Sequence, residues 1–234
     1  MKPFPEALEE LERLNEIDIS KSQELDSFHL KIVSLNTRSL NAHMEDIKKD
    51  LDLLSYDVIC LQETWLDPFE IEIYSLEGKQ KRLNSKGNGK GVATYYPPNF
   101  DLFHNISEET FQITSITSTE LTIVNVYRSS NSNDDSLIEK LNGLFSSDSK
   151  SIILCGDMNF CQRDEMNHPV LTFLKQKRFI QGLDPPRATH RDGRCLDQLH
   201  FRLNKNIQVK TVLVEPCYFS DHDKIGVIVF QNQM

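Results

Sequence analysis

Four short polar clusters punctuate the chain where apolar, strand-like runs end: Ser34-Leu-Asn36, Leu61-Gln-Glu63-Thr64, Gly156-Asp157-Met-Asn159 and Ser220-Asp221-His222. A fifth, Leu196-Asp197, opens a late strand-like run. Carboxylates and carboxamides offer oxygen ligands to a hard divalent cation, and a carboxylate beside an imidazole fixes its tautomer and stabilises its charged form. Strand ends are rigid places at which to hold such groups on the lip of a cleft. Each cluster alone also has a plain structural reading. An Asn after a strand is a common turn residue, Gly-Asp-x-Asn is a common turn composition, and an Asp-His pair often only decorates a surface.

The elements that must position these groups are readable from periodicity. Leu30–Leu35 is a strand-like run, Met44, Ile47, Leu51 and Leu54 repeat at helical spacing, and Asp57–Leu61 is a second short apolar run. The turn-rich loop Lys86–Gly91 leads into a strand over Val92–Tyr96 that Pro97-Pro98 stops. Further strands are expected at Phe111–Ile116, Leu121–Tyr127, Ser151–Cys155, Leu196–Arg202, Val209–Val214 and Ile225–Phe230, with helices at Asp134–Leu144 and Pro169–Lys177. Many short strands with few helices and no regular βαβ alternation predict an α/β fold of stacked mixed sheets faced by helices. Residues 4–17, with Leu8, Leu11 and Leu14 among glutamates, read as a short amphipathic helix followed by a polar linker. The division is therefore an acidic N-terminal helix and linker over 1–28 and one large domain over 29–234.

Composition narrows the function classes. No run approaches the roughly 18 apolar residues of a membrane span, and the start MKPFPEALEELERL lacks a basic n-region and an apolar h-region. A nuclear or cytoplasmic, non-secreted protein without a membrane partner is expected. Five scattered cysteines, an odd number with no CxxC pair, suggest neither a disulfide framework nor a zinc site. The net charge of −9 argues at first against a polyanionic partner. Its distribution softens that, because residues 1–28 hold eight acidic against three basic side chains, which leaves −4 on the rest. Residues 78–100 carry Lys79, Lys81, Arg82, Lys86 and Lys90 with no acid, and 175–210 hold nine Lys or Arg against three Asp. Such stretches can contact phosphates or serve as solvated loops.

Taken together and in this order, the clusters resemble the endonuclease/exonuclease/phosphatase family, which includes DNase I-like nucleases, abasic-site endonucleases and inositol polyphosphate phosphatases. The resemblance runs from about His29 to Val229. It implies a four-layered α/β sandwich, two mixed sheets face to face between helices, and a Mg²⁺-dependent phosphodiesterase in which Mn²⁺ substitutes. Residue by residue, Glu63 matches the metal-binding glutamate, Asn36 the asparagine that orients the metal region and phosphate, and Asp221 sits beside the metal. Asp157 and Asn159 match the pair at the attacked phosphate and nucleophile. Asp157 would bind or orient water, or transfer a proton. His222 matches the terminal histidine, as general base or phosphate-binding cation, and Asp197 the aspartate that hydrogen-bonds it. Tyr127 matches a phosphate-contacting tyrosine, though a sheet aromatic is as good a reading.

Two departures stand out. Arg38 occupies a position that is acidic in several abasic-site enzymes, so it contributes no second ligand and can contact phosphate instead. Sequences characteristic of phosphoinositide phosphatases are absent from RATHRDGRCLDQLHF. A narrower resemblance, in SLNTRSL, DVICLQETWL and GKGVATYY, is to endonuclease domains of mobile elements, both non-LTR retrotransposons and Helitrons. It implies nicking of DNA to leave a 3′-hydroxyl, in a monomeric domain of a larger polyprotein with a reverse transcriptase or helicase. Arg38, Lys86, Lys90, Arg128, Arg187, Arg191 and Arg194 are the candidate DNA contacts, and for the arginines of the 184–195 loop a solvated surface is an equal reading. The alternatives are a phosphatase on an inositol or lipid phosphate and a non-catalytic nucleic-acid-binding module of the same fold.

Overall fold

Residues 28–67, 74–84, 89–145 and 150–231 are described in a computed structural model. The expected N-terminal helix and Lys86 lie outside them. In chain order the elements are β1 (Phe28–Asn36), α1 (Leu40–Lys49), α2 (Leu51–Leu54), β2 (Val58–Gln62), β3 (Gln80–Asn84), β4 (Val92–Tyr96), β5 (Asp101–Ser107), β6 (Phe111–Thr117) and β7 (Leu121–Arg128). There follow α3 (Asp134–Leu144), β8 (Ser151–Asp157), α4 (Pro169–Gln176), β9 (Ile180–Gln181), β10 (Asp197–Arg202), β11 (Ile207–Glu215) and β12 (Lys224–Gln231).

The strands form two six-stranded mixed sheets, ordered β11-β12-β1-β2-β4-β3 and β5-β6-β7-β8-β10-β9. Strand period decides how they pack. Leu30 and Ile32 of β1, Val58 and Cys60 of β2, Ile123 of β7, Ile153 and Cys155 of β8 and Leu199 of β10 all meet in one buried cluster between the sheets. The alternate positions face outward. Val33 and Leu35 pack under Leu40, Met44 and Ile47 of α1, while Val124, Ile152 and Leu154 pack under Leu137 and Leu141 of α3 and Val170 and Leu174 of α4. The result is the helix, sheet, sheet, helix sandwich expected from the sequence.

The helices follow their caps. The Ser39 side chain accepts from the Ala42 amide to start α1, Asn133 accepts from Ser136 to start α3, and Pro169 stands in the first turn of α4, where no amide donor is needed. The single helix expected through Leu54 is interrupted at Asp50, whose side chain caps the short α2 and leaves Leu51 exposed. The three strands that periodicity does not reveal, β3, β5 and β9, all lie at sheet edges. Edge strands carry charged and polar residues that blunt association, as QKRLN in β3 does, and the apolar alternation fades with them. All five cysteines are free and buried. No helix of the described residues is long and apolar enough to cross a membrane.

Candidate active site

The inner face of the sandwich changes character along its length. Continuing the inward positions from the apolar cluster, β1 runs from Ile32 through Ser34 to Asn36, β2 from Cys60 to Gln62, β7 from Ile123 through Asn125 to Tyr127, and β8 from Cys155 to Asp157. Register aligns these polar ends. Asn36 pairs with Gln62 in the parallel β1–β2 ladder, Tyr127 with Asp157 in the parallel β7–β8 ladder, and Asp157 with Asp197 in the antiparallel β8–β10 ladder. The candidate residues therefore converge on one end of the inter-sheet seam.

Across that seam Asn36 Nδ2 donates to Asp157 Oδ2 at 2.8 Å, a contact between residues 121 apart in sequence. The Asn159 amide donates to Asp157 Oδ1 at 2.8 Å, and the Asn159 carboxamide donates to the Arg128 carbonyl and to Asp157 Oδ2. Burial, and next the charge of Asp197, hold the Asp157 carboxyl well above the usual carboxylate range, against the opposing pull of His222, the Asn159 amide and Asn36. His222 Nδ1 lies 2.8 Å from Asp197 Oδ2. Burial works against its charged form, but the carboxylates of Asp197, Asp157 and Asp221 outweigh it and lift the imidazole to about 9. His222 is thus an imidazolium at neutral pH. Tyr127 is buried near Glu63 and Asp157; burial, then the charges of those two carboxylates, push its hydroxyl pKa up.

Glu63 follows β2 with φ 50°, and Asn159 follows β8 with φ 49°. Left-handed backbone is uncommon for residues other than glycine, and its occurrence at both positions marks the strand ends as shaped for something other than regular pairing. Gly156 has φ 139°, and a Cβ there would stand 1.9 Å from the Val126 carbonyl oxygen, so only glycine brings β8 this close to β7 before Asp157. Glu63 is half-buried, and Trp65 Nε1 donates to its Oε2 at 3.2 Å.

Asp221 is further from expectation. Arg38 Nη1 donates to its Oδ2, so the arginine that replaces an acidic residue in the sequence pattern is held on a site carboxylate. Asp221 Oδ1 is buried with no hydrogen-bond partner among the described residues. Asn36 Oδ1 accepts from the Arg38 amide at 3.0 Å. Glu63, Asn36 and Asp221 supply hard oxygens, the chemistry that Mg²⁺ or Mn²⁺ takes, and the unsatisfied Asp221 oxygen is of the kind such an ion satisfies. The residue types present fit a divalent cation.

The basic candidates separate. Arg187, Arg191 and Arg194 are exposed. The Arg191 amide donates to the Asp221 carbonyl and its guanidinium to the Ser220 carbonyl, while Arg194 pairs with Asp192. Lys90 is half-buried, with its ammonium on the Glu109 carbonyl. Arg128 is a correction. It is 5% exposed, bound to Asp134 and the Met158 carbonyl and stacked over Phe160, so it braces the turn after β8 and has no face for DNA. Sequence reasoning passed over Thr189 and His190. Thr189 Oγ1 accepts from the Asp197 amide at 3.0 Å, and the His190 ring lies edge-on to His222, with Nε2 3.4 Å from Asp221 Oδ2. The only signal was their place in the Arg- and His-rich loop before Asp197.

Residues 33–222 match the sequence profile of the Endonuclease/Exonuclease/phosphatase family. No curated protein is found as a significant sequence relative. Among solved structures, the catalytic domain of APE2 from Xenopus laevis is similar with a TM-score of 0.66 at 17% identity, over 86% of this chain and 92% of that one. The 3′-5′ exonuclease NExo from Neisseria meningitidis is similar with a TM-score of 0.65 at 17% identity, over 85% and 98%. Truncated TDP2 from Caenorhabditis elegans gives 0.62 at 16% identity, over 88% and 98%. At these identities the likeness is one of fold.

Proposed function

Because the chain belongs to the endonuclease/exonuclease/phosphatase family, we propose that it is a divalent-metal-dependent DNA endonuclease that hydrolyses a phosphodiester bond and leaves a 3′-hydroxyl. The observation that carries this reading is the convergence of two hydrogen-bonded groups in one buried site, where a carboxylate oxygen of Asp157, one of Asp197 and a ring nitrogen of His222 lie within 4.8 Å of one another. The Asp157 carboxyl, held by Asn36 and Asn159 and pushed up by burial, lies beside His222, which Asp197 holds and whose charged form Asp197 favours. Groups whose environments push their pKa values apart divide the acid, base and charge-stabilising roles of a hydrolysis.

In this division His222 binds a non-bridging phosphoryl oxygen as a cation, and Asp197 keeps it charged and oriented. Asp157 exchanges a proton with the attacking water or the leaving oxygen, and Asn159 donates to the phosphate. Tyr127, between Glu63 and Asn159, presents its hydroxyl to the same phosphate. Glu63, Asn36 and Asp221 are the residues that would hold Mg²⁺ or Mn²⁺, which supplies positive charge against the charge that develops on the phosphate. DNA is the proposed partner, supported by Arg191, exposed and bonded to the Ser220 and Asp221 carbonyls, with Arg187 and Arg194 exposed in the same loop, and by structural neighbours such as TDP2 from D. rerio complexed with a single-strand DNA product.

The finer reading is a mobile-element endonuclease, of retrotransposon or Helitron type, acting as a monomeric domain of a polyprotein with a reverse transcriptase or helicase. It is supported by the three motifs SLNTRSL, DVICLQETWL and GKGVATYY. These are neighbours at the site: the Ser39 and Leu40 amides donate to the Glu63 and Thr64 carbonyls, and the Trp65 amide donates to the Lys90 carbonyl. The test is nicking of supercoiled plasmid with Mg²⁺ or Mn²⁺, alongside phosphate release from inositol polyphosphates and extension of the nicked ends by a polymerase. Nicking with extendable ends, abolished by EDTA, is expected. Cleavage undiminished in excess EDTA would refute the metal role, and phosphate release without nicking would refute the DNA reading.

A further inference from the structure

Beside the catalytic residues, on the Asp221 flank, lies an open cavity of about 440 Å³ whose aromatic wall the proposed chemistry does not use. Its walls include Trp65, Tyr218, Phe219, Arg38 and Arg191, with Asp221 at the catalytic side. Pockets for small organic groups run from roughly 300 to 1,000 Å³, so this one has the capacity for a single planar group. The aromatic rings are unusual in their exposure. Tyr218 is 68% and Trp65 37% exposed, whereas a soluble protein ordinarily turns such rings inward.

These rings are also held. The Tyr218 hydroxyl donates to the Asp46 carbonyl at 3.1 Å, and its ring stands edge-on to Phe219 at 5.0 Å. Phe219 in turn stacks on His43 at 5.3 Å. Trp65 is fixed by its indole bond to Glu63. Exposed rings braced in this way, next to two arginines and one step from the reacting phosphate, have the composition of a base-stacking platform with an electrostatic rail for the backbone. We infer that this cavity is a nucleotide subsite, in which the Tyr218 and Trp65 rings stack on an unpaired base adjoining the scissile phosphate and Arg191 contacts the flanking phosphate. The inference rests on the DNA reading of the active site. It makes the enzyme selective for DNA that is single-stranded or distorted next to the cut, since a base within a duplex cannot reach the rings.

Trp65 is the only tryptophan of the chain, so its fluorescence reports this cavity directly. The probes are an octamer of dT and an octamer of abasic spacers with the same number of phosphates, both labelled for anisotropy and mixed with the full chain in EDTA. The dT strand is expected to quench Trp65 and to bind roughly tenfold more tightly than the spacer strand. Tyr218→Ala is expected to lose that tenfold, and Tyr218→Phe, which keeps the ring and its Phe219 contact but not the hydroxyl brace, to keep most of it. On a nicking substrate with unpaired bases at the cut, Tyr218→Ala should raise KM and leave kcat unchanged. Equal quenching by both strands would show a phosphate site without stacking and overturn the inference. So would dT binding with silent fluorescence, or undiminished affinity in Tyr218→Ala, even in a protein that nicks plasmid normally. A protein that neither nicks nor binds either strand overturns the DNA reading and this inference together.

Discussion

Asn125 offers the sharpest test of how the two sheets are coupled beneath the site. It lies on the inner face of β7, fully buried, and its carboxamide donates to the Leu61 carbonyl at 3.2 Å, the Ala93 carbonyl at 3.1 Å and Thr94 Oγ1 at 3.1 Å, while Oδ1 accepts from Gln62 Nε2 at 2.7 Å. Every partner belongs to the opposite sheet. Asn125→Leu preserves the volume and removes all four bonds, so buried groups on β2 and β4 lose a partner in a place that water does not reach. An unsatisfied buried group costs about 1–3 kcal/mol. Gln62 keeps its bond to Ser34 and Thr94 its bond to Thr114, so the Leu61 and Ala93 carbonyls are the two groups that lose a donor, and the expected loss is about 2–6 kcal/mol, or roughly 4–20 °C in Tm for a chain of this size. Activity should fall further than stability alone explains, because Gln62 and Leu61 lead directly into Glu63, and a displacement of about 1 Å at a reacting geometry costs on the order of 10²-fold. Urea unfolding gives the first quantity, and single-turnover nicking at a temperature where the variant is fully folded gives the second. A variant within about 0.5 kcal/mol of wild type and equally active would show that Asn125 neither couples the sheets nor positions Glu63.

The remaining predictions are briefer. Asp157→Asn, Glu63→Gln and His222→Ala should each reduce nicking by about 10²–10⁴-fold with the far-UV spectrum intact, and a full-rate His222→Ala enzyme would remove His222 from the chemistry. His200, 3% exposed on β10, has its imidazole pushed down by burial from 6.5 to about 4. The unfolded chain therefore takes up a proton that the folded one refuses, so stability is complete above pH 6.5 and declines by about 3 kcal/mol as the pH falls to 4. Unfolding free energies of His200→Gln should show a shallower slope over that window, and an unchanged slope would contradict this account. Gly156→Ala should destabilise or unfold the protein, since its Cβ meets the Val126 backbone, and a near-native urea midpoint would show that β7 and β8 can separate there.

The sequence by itself determined a good deal, because the relevant physics is local. Apolar runs marked the buried strands, helical candidates covered α3 and α4, and polar clusters at strand ends marked Asn36, Glu63, Asp157, Asp197 and His222. Period two even dictates that Asn36 shares a face with Ile32, and Asp157 with Ile153. Three of the four edge strands, β3, β5 and β9, lack a legible apolar run because much of their surface meets water, and α1 and α2 read as one helix because Leu51 mimics a buried position while lying exposed. What only the tertiary structure decided is which of these faces meet. The Asn36–Asp157 bond and the Asn125 bridge depend on the two sheets stacking in one particular alignment, which no short window of sequence encodes. The same holds for charge. Arg128 and Arg191 look alike as letters, yet one is buried as a brace and the other stands at the lip of a cavity. Trp65 and Tyr218, 153 positions apart, become neighbours of one space only when β2 and the segment before β12 end at the same edge of the sandwich.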